Sequence, residues 1–216
     1  MAEFTLIIGS RNYSSWSLRG WLACREAGLA FDEEVIVLGR PDTATQIRRH
    51  SPSGMVPVLK HGTVTVWDSL AILEYAHEVG AKPLWPEDRG ARAMARAAAA
   101  EMHSGFRELR QNMPMNIRAN HPGRGMTPAV QEDVNRVTAL WRECRRRHGA
   151  GGAFLFGEFG GADIMFAPVV TRLLTYAVAL DGDDQAYCQA VMAHPSMAEW
   201  VAAAKREPWI IDKYEI

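Results

Sequence analysis

Pro57, at the head of the apolar pair Val58-Leu59, restricts the fold of this chain more than any other residue. Proline has no N–H to give to a ladder, so inside a sheet it is confined to edges and to the first residue of a strand. A cis X-Pro bond at such a place makes a sharp turn. With Val56-Pro57 in cis, the N–H and C=O of Val56 turn outward, where an extended peptide can pair with them. His61-Gly62 is a two-residue hairpin signal, and Thr63 to Trp67 reads as the returning strand. Asp68-Ser69 then opens a helix, whose side-chain acceptor and free N–H groups suit a carboxylate. The stretch therefore predicts an edge that offers backbone to a peptide's middle and a helix N-terminus to its anionic end.

The beginning of the chain adds a candidate for chemistry. Thr5 to Ile8 is a short apolar strand, and Gly9 to Tyr13 is a polar turn. Ser14-Ser15-Trp16-Ser17 leads into a helical stretch, Leu18 to Ala27, closed by Gly28. A hydroxyl at a strand-to-helix turn can donate to an anion held by the amides and dipole of the helix N-terminus. Phe31 to Leu38 reads as a second strand and Thr43 to Arg49 as a short helix, so the mixed segment ends near Val79. Gly80 to Asp88, with Pro83 and Pro86, marks a boundary.

Beyond it the pattern is helical. Ala91 to Asn112 is Ala-rich and reads as one helix, Pro114 to Pro128 is turn-rich, and Ala129 to His148 is a second long helix. Ala162 to Leu180 is apolar almost all round, as in a helix at the centre of a bundle. Asp184 to Ala193 and Ser196 to Arg206 flank the break at His194-Pro195. The expected organisation is a mixed α/β domain over 1–82 and an all-helical domain over 89–216.

Composition removes several functional classes. The 24 basic and 25 acidic residues nearly cancel, which argues against a nucleic-acid or membrane-surface partner recruited by charge. The basic cluster Arg142, Arg145, Arg146, Arg147 and His148 closes a helix, where cations suit the dipole. Cys24, Cys144 and Cys188 are odd in number and far apart, which excludes a dithiol motif and fits a reducing, cytoplasmic setting. Cys24 reads as a small buried apolar residue. The seven histidines form no i, i+4 pair with a supporting acid, so no metal is expected. Neither a signal peptide nor an uncharged apolar run of roughly 18 residues is visible.

These residues resemble those of a known family. Ser14 to Arg19, Ser51 to Leu59, and Asp68-Ser69 are similar to the active-site serine motif, the cis-proline loop and the γ-glutamyl-binding pair of the cytosolic glutathione transferases. The Ser-Ser-x-Ser-x-Arg pattern resembles the serine-type zeta class, which includes maleylacetoacetate isomerases. Phe154 to Glu158 and Gly160 to Asp163 resemble the helix-capping motif of the second domain, with Gly160 in place of a hydroxylated residue, so the box keeps only its Asp163 half. The resemblance spans essentially the whole chain. It implies a thioredoxin-like α/β N-terminal domain plus an all-α C-terminal domain, glutathione as cosubstrate, a small hydrophobic electrophile and a homodimer.

The resemblance also implies site residues. Ser14 ranks first as the hydroxyl that stabilises the glutathione thiolate, then Ser15, then Tyr13. Met55, Val56, Pro57, Asp68 and Ser69 are implied in glutathione binding. Met55 stands where many relatives carry a lysine for the glycine carboxylate, which leaves Arg40, Arg49 or His50 as alternative cations. Met102, Phe106, Met113 and Met115 line either a pocket for an apolar electrophile or plain core. His103, Arg107 and Arg110 lie along one helix, facing second substrate, partner or solvent. Arg172, on the apolar helix, needs a partner or a ligand; a structural ion pair is the first expectation and the second-substrate pocket the other. The implied activity is thiol activation for attack on an electrophilic carbon, with a maleylacetoacetate-type isomerase or a peroxidase side activity as variants. A non-catalytic binding protein on the same scaffold is the alternative of a different class, and fold analogy alone does not separate it.

Overall fold

Strand β1 (Phe4–Gly9) carries apolar side chains on both faces, and all but one of its residues are buried, so it belongs at the middle of a sheet. A computed structural model, describing residues 2–149 and 151–215, places it there. The sheet order is β2-β1-β3-β4, with β2 at Phe31–Ile36, β3 at Val58–His61 and β4 at Val64–Trp67. β2 runs parallel to β1, with Phe4 opposite Phe31, and β3 runs antiparallel to it, with Ile7 opposite Val58. The hairpin β3–β4 turns at Gly62, whose φ of 55° suits glycine. Helix α1 (Ser15–Glu26) crosses between β1 and β2, α2 (Thr43–Arg48) precedes the proline loop, and α3 (Ser69–Val79) follows β4. This is a thioredoxin-like α/β domain.

The remaining residues form a helical domain: α4 (Arg89–Ser104), α5 (Arg107–Asn112), α6 (Pro128–His148), α7 (Gly161–Thr175), α8 (Gly182–Ala193) and α9 (Pro195–Arg206). The limits expected at 1 and 216 lie outside the described residues, as does Ala150 within the helical domain. Two helix expectations are corrected. Ala91 to Asn112 is two helices, because Gly105 ends the first and Phe106 adopts a left-handed φ of 56°. The central helix stops at Thr175 instead of Leu180, since Ala177 turns left-handed with φ 51°.

One hydrophobic core runs through both domains, joining Leu6, Leu18 and Leu59 to Met102, Trp141, Phe166 and Trp200. A smaller cluster, Ile7, Ile36, Ile47 and Val58, fills the other face of the sheet. Cys24, Cys144 and Cys188 are buried, and burial pushes each thiol up to about 12. Helix α4 has alanines on two faces: Ala95, Ala98 and Ala99 are buried against the core, and Ala93, Ala97 and Ala100 are exposed. Among the described residues no helix is long and apolar enough to cross a membrane.

Helix α1 is pressed against the proline loop. A Cβ on Gly20 would lie 2.8 Å from Cγ of Pro57, so only glycine lets the helix come this near. The helix and the loop thus form one rigid wall, and the N-terminus of α1 is held beside Val56.

Candidate active site

The start of α1, the proline loop and the start of α3 meet in a cleft with two connected hollows. The first, of about 360 Å³, is lined by Tyr13, Ser14, Ser15, Trp16, Met55, Val56, Arg110, Pro114, Met115, Arg172 and Tyr214, among others. The second, of about 410 Å³, is lined by Ser53, Pro57, Trp67, Asp68, Ser69 and His103, and shares Trp16, Met55 and Val56 with the first. The Val56-Pro57 bond is cis. Because β3 begins only at Val58, the N–H and C=O of Val56 have no hydrogen-bond partner among the described residues.

The three candidate hydroxyls stand in different hydrogen-bonding situations. Ser14 caps α1, its Oγ accepting from the Ser17 N–H at 3.3 Å. Its hydroxyl also donates to Ser17 Oγ at 2.7 Å, and Ser17 Oγ accepts from the Gly9 N–H at 2.9 Å. Ser15 lines the first hollow, and its hydroxyl has no hydrogen-bond partner among the described residues. Tyr13 is fully engaged: its hydroxyl donates to Glu215 at 2.5 Å and accepts from Arg118 at 3.0 Å and from the Ile211 N–H at 3.3 Å. Burial and the Glu215 hydrogen bond raise the Tyr13 pKa, so its proton stays on oxygen.

At the other end, Asp68 holds a left-handed φ of 75°, a strained conformation for aspartate. The reward is local: its Oδ1 accepts from the N–H groups of Leu70 at 2.8 Å and Ala71 at 3.4 Å. The helix amides are therefore taken by Asp68 itself, which corrects the expectation that they await an external carboxylate. His103 of α4 lies 3.2 Å from Asp68 Oδ2, tying the two domains together across the cleft. Burial pushes the Asp68 carboxyl up, but the His103 contact and the two amides outweigh it and hold the pKa below the usual range. The Ser69 hydroxyl is 1% exposed and has no protein partner. A buried unpaired hydroxyl on the wall of a hollow is an open site for a ligand's polar group.

Other expected residues are placed differently. His50 is turned to Glu34 at 3.0 Å and Lys60 at 3.3 Å, and neither it nor Arg40 or Arg49 lines either hollow. Phe106, Met102 and Met113 are core residues, whereas Met115 reaches the first hollow. Among the described residues Arg172 makes no ion pair. Its Nε donates to the Met113 carbonyl at 2.9 Å and its Nη1 to the Pro168 carbonyl at 3.1 Å. Sequence reasoning missed Tyr214 and Pro114 as lining residues, since nothing local marks them. Ser17 was recoverable, because a hydroxyl three residues after a helix N-cap faces the same turn.

Comparison with known proteins finds the same fold in glutathione transferases. Residues 13–79 match the family model described as the N-terminal domain of glutathione S-transferase. Glutathione S-transferase 1 of Dianthus caryophyllus is 29% identical over 171 residues, covering 77% of this chain and 76% of that protein. A glutathione transferase homolog from Burkholderia, solved with bound glutathione, superposes with a TM-score of 0.71 at 25% identity, over 94% of this chain and 99% of the other. The theta class enzyme of Xanthomonas axonopodis pv. citri, also solved with glutathione bound, gives a TM-score of 0.67 at 22% identity, over 93% and 98%.

Proposed function

From the match of residues 13–79 to the glutathione S-transferase N-terminal domain and the shared fold, we propose that this chain is a glutathione S-transferase that activates the thiol of glutathione through a serine at the start of α1. The tripeptide lies in the cleft with its cysteinyl backbone paired to the N–H and C=O of Val56. Its γ-glutamyl end sits at α3, the ammonium beside Asp68 and the carboxylate on the Ser69 hydroxyl. The observation that carries this pose is the empty hydrogen-bonding capacity at both points, Val56 and Ser69.

The sulfur then falls at Ser14. Rotating two hydroxyl hydrogens reverses the serine pair: Ser17 still accepts from Gly9 but donates to Ser14, and Ser14 donates to the sulfur. Each oxygen keeps a full set of partners, so the switch to the thiolate form leaves nothing unsatisfied. Ser14 acts as a hydrogen-bond donor and not as a nucleophile: among the described residues its hydroxyl bonds only to Ser17, and His103 is paired with Asp68 at the other end of the cleft. The thiol proton passes to solvent, and the bound thiolate displaces a leaving group from an electrophilic carbon held in the first hollow, or adds to it, the adduct then taking a proton from solvent. A second reading gives the role to Ser15, favoured by its unpartnered hydroxyl.

Isothermal calorimetry with glutathione tests the pose. Ser69→Ala is expected to weaken binding by about 1–3 kcal/mol, the cost of leaving a ligand carboxylate without its donor. Affinity equal to the wild type in that variant would remove Ser69 from the site.

A homodimer belongs to the same proposal. Its support is the exposed pair Val64 and Trp67, the latter 46% exposed, beside a hollow of about 620 Å³ lined by Val66, Leu70 and Ala71, together with Ala93, Ala97 and Ala100 exposed on α4. Sedimentation velocity at micromolar concentration should show a dimer that Trp67→Glu converts to monomer. A wild-type monomer would reject it. A cytoplasmic setting is supported by the three buried free cysteines.

A further inference from the structure

The first hollow is positively charged where a pocket for a neutral hydrophobe would be expected. Arg110 and Arg172 both line it, together with Ser14 and Ser15, and none of its lining residues is acidic. Arg172 is 4% exposed, and its protein partners, the Met113 and Pro168 carbonyls, carry no charge. Arg19 lies behind the wall, fully buried, with its guanidinium carbon 4.5 Å from the Trp16 ring and its Nη2 without a partner. Arg110 stands 5.5 Å from the same ring. Among the described residues none of the three forms a salt bridge.

Clustering like charges in a buried place is unfavourable unless something of opposite sign joins them. The electrostatics agree. Burial and then the neighbouring Arg172 and Arg110 charges lower the Arg19 pKa, burial and Arg110 bring Arg172 down to about 10, and burial lowers Arg110. Acidic groups act only from a distance, Asp68 on Arg19 and Asp133 on Arg110. Tyr176 and Tyr214 are the groups of opposite potential sign facing Arg172, and both are phenols. Among the described residues no acidic side chain pairs with Arg110 or Arg172, and the nearest on this side, Glu215, is engaged with Tyr13 and Asn116.

We propose that the electrophile is itself an anion, a small molecule whose carboxylate is held by Arg110 and Arg172 while its apolar body lies on Trp16, Pro114 and Met115. This rests on the glutathione reading above and adds the class of the second substrate. A guanidinium fork matches a carboxylate in plane and spacing, which a compact ammonium does not. The charge also orients the substrate: with the carboxylate fixed at the arginines, the opposite end points to Ser14 and the sulfur.

The test uses two glutathione conjugates that differ by one group, S-(para-carboxybenzyl)glutathione and its neutral S-(para-carbamoylbenzyl) counterpart, titrated by calorimetry beside glutathione itself. The wild type should bind the carboxylate conjugate at least about tenfold tighter than the carboxamide. Arg110→Gln should erase most of that preference and leave the affinity for glutathione unchanged. Arg172→Gln should do the same, and because Arg172 also holds two main-chain carbonyls, the Arg110 variant carries the test if the other does not fold. Equal binding of the two conjugates by the wild type overturns the proposal while leaving glutathione binding intact. Equal weakening of glutathione and of both conjugates in Arg110→Gln also overturns it, since the arginines would then hold the glycine carboxylate of glutathione. A wild type that binds none of the three ligands overturns the glutathione reading beneath it.

Discussion

Ser14→Ala is expected to lower turnover at neutral pH by about tenfold or more and to leave glutathione affinity nearly unchanged. A free thiol with a pKa of about 8.5 is only a few per cent ionised at pH 7. A hydroxyl donating to the sulfur anion contributes about 1.5–3 kcal/mol, which corresponds to roughly one to two pKa units. The helix N-terminus adds about 0.3–1 kcal/mol and survives the substitution. The sign follows directly: the bound thiol has its pKa lowered in the wild type, so removing the donor raises it. The rising limb of the pH–rate profile should move to higher pH, and the two enzymes should converge once both thiols are ionised. A uniform loss at every pH would point to lost geometry instead. Ser15→Ala and Tyr13→Phe are the companions. Tyr13, with its hydrogen committed to Glu215, should leave the limb in place. If Ser15→Ala moves the limb and Ser14→Ala does not, the role passes to Ser15.

The second large effect is on stability. Asp163 is buried at the start of α7, where Oδ1 accepts from the Leu155 N–H at 3.1 Å and the Tyr187 hydroxyl at 3.0 Å. Oδ2 accepts from the Gly160 N–H at 3.0 Å. Gly160 has no side chain to return the bond, so one carboxylate joins a loop, a helix start and α8 unaided. Asp163→Ala orphans three donors at once, each costing about 1–3 kcal/mol when left buried and unpaired. Denaturant unfolding should show a loss of about 3–5 kcal/mol, with Asp163→Asn between the two because its amide oxygen keeps part of the set. A loss below about 1 kcal/mol would mean that the donors find other partners.

The sequence revealed most where chemistry is local. Proline without an N–H, glycine at a turn and hydroxyls at helix starts are constraints that act within a few residues, and they located β3, α1 and α3. The double expectation for Arg172 failed in its first half because carbonyls of Met113 and Pro168 satisfy the guanidinium, and no periodicity announces a carbonyl. Helix α4 ended early because Phe106 takes a left-handed backbone, a choice set by packing that helix propensity does not report. Tyr214 reaches the cleft through tertiary structure alone, about as far along the chain from Ser14 as the fold allows.

The core that runs unbroken from Leu6 and Leu18 into Met102 and Phe166 has a consequence for how such a protein changes its diet. Packed interiors hold a few discrete arrangements and do not flex continuously, so the two halves act as one body and not as jaws. Under the proposed function, selectivity then resides in the fixed outline of the first hollow. Arg110, Pro114 and Met115 shape that outline from a segment separate in sequence from Ser14, Val56 and Ser69. A lineage can therefore exchange one class of electrophile for another by single replacements around α5, while the thiol-handling half is inherited unaltered.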